Sequence, residues 1–214
     1  MPISLSFLNS LSGYEPTLAK ALSLTPEAFA YDTFQSLSDE HHLSIAVGYP
    51  VKQYDGVTIS MVIFQPKKDL SFYSKQLLHP DELPFFVPRK EQTTISIDGK
   101  LLVPAICYES LQPEHAREAA ALGADVYVAS VAKSANGVIR ANAHYPAMAK
   151  AHGMFVLMAN CVGKADNFIG AGQSAVWNQE GKLLLQANAT QEALLILDTA
   201  TGDVNMLDGA FLSP

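Results

Sequence analysis

The sequence predicts a layered α/β domain with mixed sheets. Short, nearly continuous apolar runs such as LSIAVG at 43–48, DVYVA at 125–129 and FVLMAN at 155–160 read as buried strands. Strands alternate with helices in the middle of the chain and follow hairpins elsewhere. The 214 residues are 49% apolar and only 16% charged, which suits a single core and excludes a disordered chain.

Helices are predicted over Glu15 to Leu22 and Pro26 to His41, the second capped by Thr25 with Pro26 at its first position. Strands follow at Leu43 to Gly48, Val57 to Phe64 and Leu70 to Ser74, the last two joined by a turn at Pro66 to Asp69. Thr93 to Asp98 and Leu101 to Tyr108 flank Asp98-Gly99, a pair suited to a tight hairpin turn. Pro113 to Leu122 reads as a helix ended by Gly123, and Asp125 to Ala129 as a buried strand. A helix over Asn142 to His152 ends at Gly153, and the strand Phe155 to Asn160 follows. The C-terminal part is β-rich, with strands at Ser174 to Asn178, Leu183 to Gln186 and Ala193 to Asp198 and a turn at Glu180-Gly181.

Composition narrows the function classes. A net charge of -7 leaves no basic stripe to neutralise phosphates, so no nucleic-acid partner is expected. No apolar run reaches the ~18–20 residues of a membrane span. Met1 to Ser12 lacks the basic n-region of a signal peptide, so the cytoplasm is the expected compartment. Cys107 and Cys161 cannot build a disulfide framework and read as reduced thiols. The histidines show no HxxxH spacing, there is no CxxC pair, and GAGQS at 170–174 lacks the strand-to-helix setting of a dinucleotide loop. No metal and no other cofactor is expected.

Cys107 ends the apolar strand of LVPAICYES, and a helix follows within a few residues. Such a turn exposes its middle side chain and directs backbone N–H groups at what that side chain attacks. The thiol is either an activated nucleophile or a small apolar filler. Lys75, in FYSKQLLHPDE, is either a solvated charge or a buried cation able to favour a thiolate and hold an oxyanion. Glu82 is a surface carboxylate unless it shares that pocket. Cys161, in MANCVG, reads as a packed thiol.

These segments, in this order, resemble the nitrilase, or carbon–nitrogen hydrolase, superfamily. AVGYP at 46–50 is similar to the family's glycine-ended strand, and YSKQLLHPDE at 73–82 to its lysine motif. ICYES at 106–110 with GADVYVAS at 123–130 resembles its cysteine elbow and the strand beyond. MANCVG at 158–163 and GQSAVWNQEGKLL at 172–184 resemble its downstream strands. The resemblance implies an α-β-β-α sandwich of two mixed sheets and a Glu–Lys–Cys triad. Cys107 would be the nucleophile, forming a thioester with an amide or nitrile carbon. Lys75 and the backbone N–H of Tyr108 would stabilise the oxyanion, and Glu82 would be the second glutamate that orients the lysine or substrate. It also implies a small amide, nitrile or N-carbamoyl substrate and a homodimer or larger homo-oligomer, packed through the helices after Cys107 and before FVLMAN.

Two departures stand out. Ala151 occupies a place where the family's helix usually carries a glutamate. Aligned on Gly13-Tyr14, the general-base glutamate falls at Leu8, and neither Leu8 nor Asn9 can take a proton. The family's first strand and helix are also expected to be missing. Codons for the first ten residues, read from the third nucleotide, can spell Ala-Asp-Leu-Phe-Val-Ile-Pro-Glu-Leu, the motif the family would place here. The expectation is a single carbon–nitrogen hydrolase domain over 1–214, N-terminally incomplete through truncation or a frameshift near Ser10 to Ser12, with impaired activity. The rivals are an inactive family member that serves as a structural or binding protein, and an unrelated α/β protein whose cysteine only packs.

Overall fold

The computed structural model describes residues 5–8, 15–31 and 33–209. The chain divides into two compact units, 1–98 and 99–214.

In the first unit, β1 (Leu5–Leu8) precedes a 3₁₀ turn at Pro16–Leu18 that runs into α1 (Ala19–Leu22). A second 3₁₀ stretch at Pro26–Tyr31 comes before α2 (Thr33–His41). Each helix predicted here is therefore broken into a 3₁₀ and an α piece. The chain between them is held extended: Leu24 bridges to Val51, and the Lys52 N–H donates to the Leu24 carbonyl at 2.8 Å. Phe29 is buried within the 3₁₀ stretch, packed with Val47, Val51, Val62 and Phe64.

β2 (Ser44–Gln53), β3 (Gly56–Phe64) and β4 (Ser71–Ser74) form an antiparallel meander. β1 lies on the free edge of β2, parallel to it, with Leu5 opposite Ser44 and Leu8 opposite Val47. The sheet is thus mixed, as expected, and it includes a strand at Leu5–Leu8 that the sequence reading does not place. The backbone groups along the edge of β2 need partners, and Leu5–Leu8 and Leu24 supply them. The motif GYE at 13–15 and the position of Asn9 lie, apart from Glu15, outside the described residues. β5 (Ile95–Ile97) ends this unit, and Asp98 and Gly99 both take positive φ, 46° and 76°, as a type I′ turn requires.

The second unit opens with β6 (Lys100–Ile106), a 3₁₀ turn at Cys107–Leu111 and α3 (Pro113–Ala121). β7 (Val126–Val131), α4 (Ala135–His152) and β8 (Phe155–Asn160) follow. β6, β7 and β8 are mutually parallel. Their sides are covered, which is why VYVASV is buried at every position. α4 starts seven residues before the predicted Asn142. The SANG segment looks like a loop in sequence, but Gly137 serves packing: a Cβ there would lie 3.0 Å from the Lys133 Cβ.

β9 (Val162–Ala165) and β10 (Phe168–Ala171) make a small hairpin that sequence reasoning does not foresee. β11 (Ala175–Trp177) adds antiparallel to β8, and β12 (Leu183–Gln186) to β11. β13 (Ala193–Leu197) and β14 (Val204–Asp208) pair as a separate hairpin. The core of this unit gathers Tyr127, Tyr145, Met148, Val156 and Trp177 around the parallel strands. No helix among the described residues is long and apolar enough to cross a membrane.

Candidate active site

Three parallel strands end side by side in the second unit. Ile106 of β6 lies opposite Ser130 of β7, and Val131 opposite Asn160 of β8. The residues that follow those ends are Cys107, Ala132-Lys133 and Cys161. The carboxyl edge of a parallel sheet is where α/β proteins place their chemistry.

Cys107 is the junction between β6 and its 3₁₀ turn. It holds φ at +50°, a left-handed conformation that a side chain makes costly. Its thiol points to the Ala132 carbonyl, with Sγ 3.7 Å from that oxygen, and the residue is only half-buried. The turn is held from behind. The buried Glu109 carboxyl accepts the Ile106 N–H at 2.7 Å. The Ser110 hydroxyl donates to the Cys107 carbonyl and sits 2.7 Å from the Tyr145 hydroxyl. Asn160 clamps the neighbouring strand end: its Oδ1 accepts the Lys133 N–H at 2.8 Å, and its Nδ2 donates to the carbonyls of Lys133 and Gly172. Cys161 is a different thiol. Burial pushes its pKa up, and its Sγ fills the space beside Gly170.

Sequence reasoning misses Glu109, Ser110, Tyr145 and Asn160 as parts of this edge. Only Glu109 leaves a signal, a glutamate three residues after the strand's last residue, the spacing at which a carboxylate reaches back to a backbone N–H.

A buried polar chain continues behind Glu109. His115 Nε2 lies 3.9 Å from Glu109 Oε1, and its Nδ1 is 2.8 Å from the Tyr127 hydroxyl. Burial lowers the His115 pKa to about 4, so the ring is neutral at pH 7 and the approach to Glu109 is not an ion pair. The folded-state value lies below that of the unfolded chain. The unfolded state therefore takes up the proton first, and the stability present above about pH 6.5 is lost as pH falls toward 4. Between pH 7 and 5 this group should remove about 2 kcal/mol. Urea unfolding at the two values should show that loss in the native chain and a smaller one in His115→Gln.

In the first unit Lys75 and Glu82 meet. Lys75 follows β4 and its side chain is fully buried, as is that of Glu82 to within 2%. The ammonium donates to both carboxylate oxygens at 2.7 Å. Glu82 closes a 3₁₀ turn at Pro80–Glu82 and also accepts the His79 N–H at 2.7 Å. Lys75 is itself pinned by its N–H to the Ile59 carbonyl and by its carbonyl to the Arg89 N–H. The surface readings of both residues are thereby corrected: the spacing of seven across Pro80 folds the carboxylate back onto the cation. A cation desolvated in this way acts as a fixed point charge. Lys75 and Glu82 belong to one unit and Cys107 and Tyr108 to the other. Among the described residues no three His, Cys, Asp or Glu side chains are grouped to hold a metal ion.

A family model described as carbon-nitrogen hydrolase matches residues 9–206. The chain belongs to the carbon–nitrogen hydrolase family. It is similar to the glutamine-dependent NAD(+) synthetase of Aquifex aeolicus, 26% identical over 206 residues, which is 91% of this chain but 36% of that protein. The chain thus spans about a third of the length of this curated relative. Among solved structures, the NitN amidase of Nesterenkonia sp. AN1 superposes with a TM-score of 0.77 at 23% identity, covering 87% of this chain and 76% of the other. A cysteine-to-alanine variant of that amidase, solved in complex with butyramide, superposes at 0.74 and 21% identity over 92% of this chain and 73% of its own. That amidase is described as a member of the nitrilase superfamily. The mixed α/β architecture with several sheets is the fold of these hydrolases.

Proposed function

We propose that this hydrolase cleaves small amides through a thioester on Cys107. The observation that carries the reading is the half-buried thiol at a strained φ of +50°, set at the carboxyl edge of parallel strands. The Cys107 sulfur attacks the amide carbon, forming the C–S bond and an oxyanion. Lys75 and the Tyr108 N–H stabilise that charge, and Glu82 holds the lysine in place. Collapse breaks the C–N bond, and the nitrogen leaves as ammonia carrying the proton that the Cys107 thiol gave up. Water then cleaves the thioester, releasing the carboxylic acid and restoring the thiol. The butyramide bound by the Nesterenkonia variant supports an unbranched aliphatic amide as substrate. The two units are read as parts of one carbon–nitrogen hydrolase domain.

Leu8 and Asn9 stand where the resemblance puts the general base, so turnover is slow in the sequence as it is. Leu8→Glu should raise the rate of butyramide hydrolysis by about 10²- to 10⁴-fold, and Leu8→Gln should not. The reading itself is tested by exposing the chain to iodoacetamide and mapping the product. Cys107 should be alkylated well before Cys161, whose thiol burial keeps protonated. Equal labelling, with no ammonia released from a panel of aliphatic amides, would remove it.

Association belongs to the same reading. Leu122, which follows α3, and Ile139 on α4 are 49% and 66% exposed, and these helix faces are the proposed homodimer contact. Sedimentation should give a dimer or larger species, and a monomer at micromolar concentration would count against it.

A further inference from the structure

We infer that Ser110 and Tyr145 are positioning residues that orient and polarise the Cys107–Tyr108 peptide, the group whose N–H receives the oxyanion. This rests on the roles proposed above for Cys107 and Tyr108. The geometry starts at the Ser110 hydroxyl, which donates to the Cys107 carbonyl. Its one proton is thereby committed, so across the 2.7 Å contact Tyr145 must be the donor and Ser110 the acceptor. The result is a directed chain, Tyr145 O–H to Ser110 O–H to Cys107 C=O. Both side chains are buried at 0% exposure. Burial holds the Tyr145 hydroxyl far above its ordinary pKa, so it stays a donor at every working pH.

The carbonyl at the end of this chain shares its peptide plane with the Tyr108 N–H. The peptide is planar and trans, so the C=O and N–H point in opposite directions and turn together. A hydrogen bond accepted by the carbonyl fixes the direction of the N–H, and it also withdraws electron density so that the N–H donates more strongly. At φ of +50° the backbone at Cys107 is not in a broad energy well, and the plane needs such a restraint. Tyr145 is itself held on α4, its ring 5.4 Å from that of Trp177. The rigid core thereby sets the aim of the oxyanion donor.

The test compares Ser110→Ala, Tyr145→Phe and the double variant in butyramide hydrolysis and in iodoacetamide alkylation. Complete removal of an oxyanion donor costs about 10²–10³ in kcat, and loss of its aim should cost about 10-fold in Ser110→Ala. Tyr145→Phe should lose less, about 3-fold, and the double variant no more than Ser110→Ala, because Tyr145 acts only through Ser110. KM should change little. Alkylation of Cys107 should keep its rate, since displacement at a saturated carbon forms no oxyanion. Unchanged kcat in Ser110→Ala would overturn the inference, and so would an equal fall in hydrolysis and alkylation, which would mean the elbow itself had collapsed. If the native chain hydrolyses no amide, the functional reading fails on its own, and hydrogen exchange at the Tyr108 amide decides the inference. Exchange should be about 10-fold faster in Ser110→Ala, and an unchanged rate would refute it.

Discussion

Cys107→Ala should abolish amide hydrolysis, by about 10⁴-fold or more, and leave the fold near native. The loss is large because the proposed route passes through a covalent bond to one sulfur, and no other group on the carboxyl edge can replace it. Cys161 follows the end of β8, two strands from β6, and burial pushes its thiol pKa up. The small effect on stability follows from exposure. Cys107 is half-buried, and its thiol makes only a long 3.7 Å approach to the Ala132 carbonyl at the border of the core. Steady-state rates with butyramide, together with a urea melt, check both halves. Cys161→Ala should leave the rate within two-fold of the native value.

Lys75→Met should lose hydrolysis almost as completely, about 10³-fold, because the oxyanion loses its cation. Here stability suffers too. Glu82 would stay buried with two oxygens that the ammonium now occupies at 2.7 Å, and breaking a buried pair from one side costs about 3–5 kcal/mol. The double variant Lys75→Met/Glu82→Leu separates the effects, since it leaves no orphan charge. It should recover most of the stability and none of the rate. Lys75→Arg should not rescue activity, because a planar fork cannot take the place of a single ammonium gripped by both carboxylate oxygens in a closed pocket. Near-full activity in Lys75→Arg, or a fully active Lys75→Met/Glu82→Leu, would return the pair to a purely structural role.

What the sequence made legible followed from local physics. The run DVYVA is apolar because β7 is buried at every position, and FVLMAN because β8 is buried except at Leu157 and Ala159; the glycine after His152 marks the end of α4 because only a left-handed residue closes it at φ of 66°. Cys107 and Lys75 were visible as strand-end residues, but their surroundings were not. That Lys75 is a buried cation depends on Glu82 folding back across Pro80, and sequence spacing does not separate that turn from a solvated loop. Ser110 and Tyr145 are 35 positions apart, one in the turn after β6 and the other on α4, and no local pattern joins residues so far apart in sequence. The strand Leu5–Leu8 was also hidden. Its pairing depends on the open edge of β2, and four residues of alternating pattern carry too little signal alone.

The central claim is that a thioester on Cys107 carries the reaction. It is tested most directly by quenching the chain in acid during turnover of butyramide and mapping its peptides by mass spectrometry. A butyryl group on the peptide containing Cys107, removed by hydroxylamine and missing in Cys107→Ala, is the predicted result. Release of ammonia with no acyl group on that peptide, or an acyl group on Cys161 instead, would contradict it.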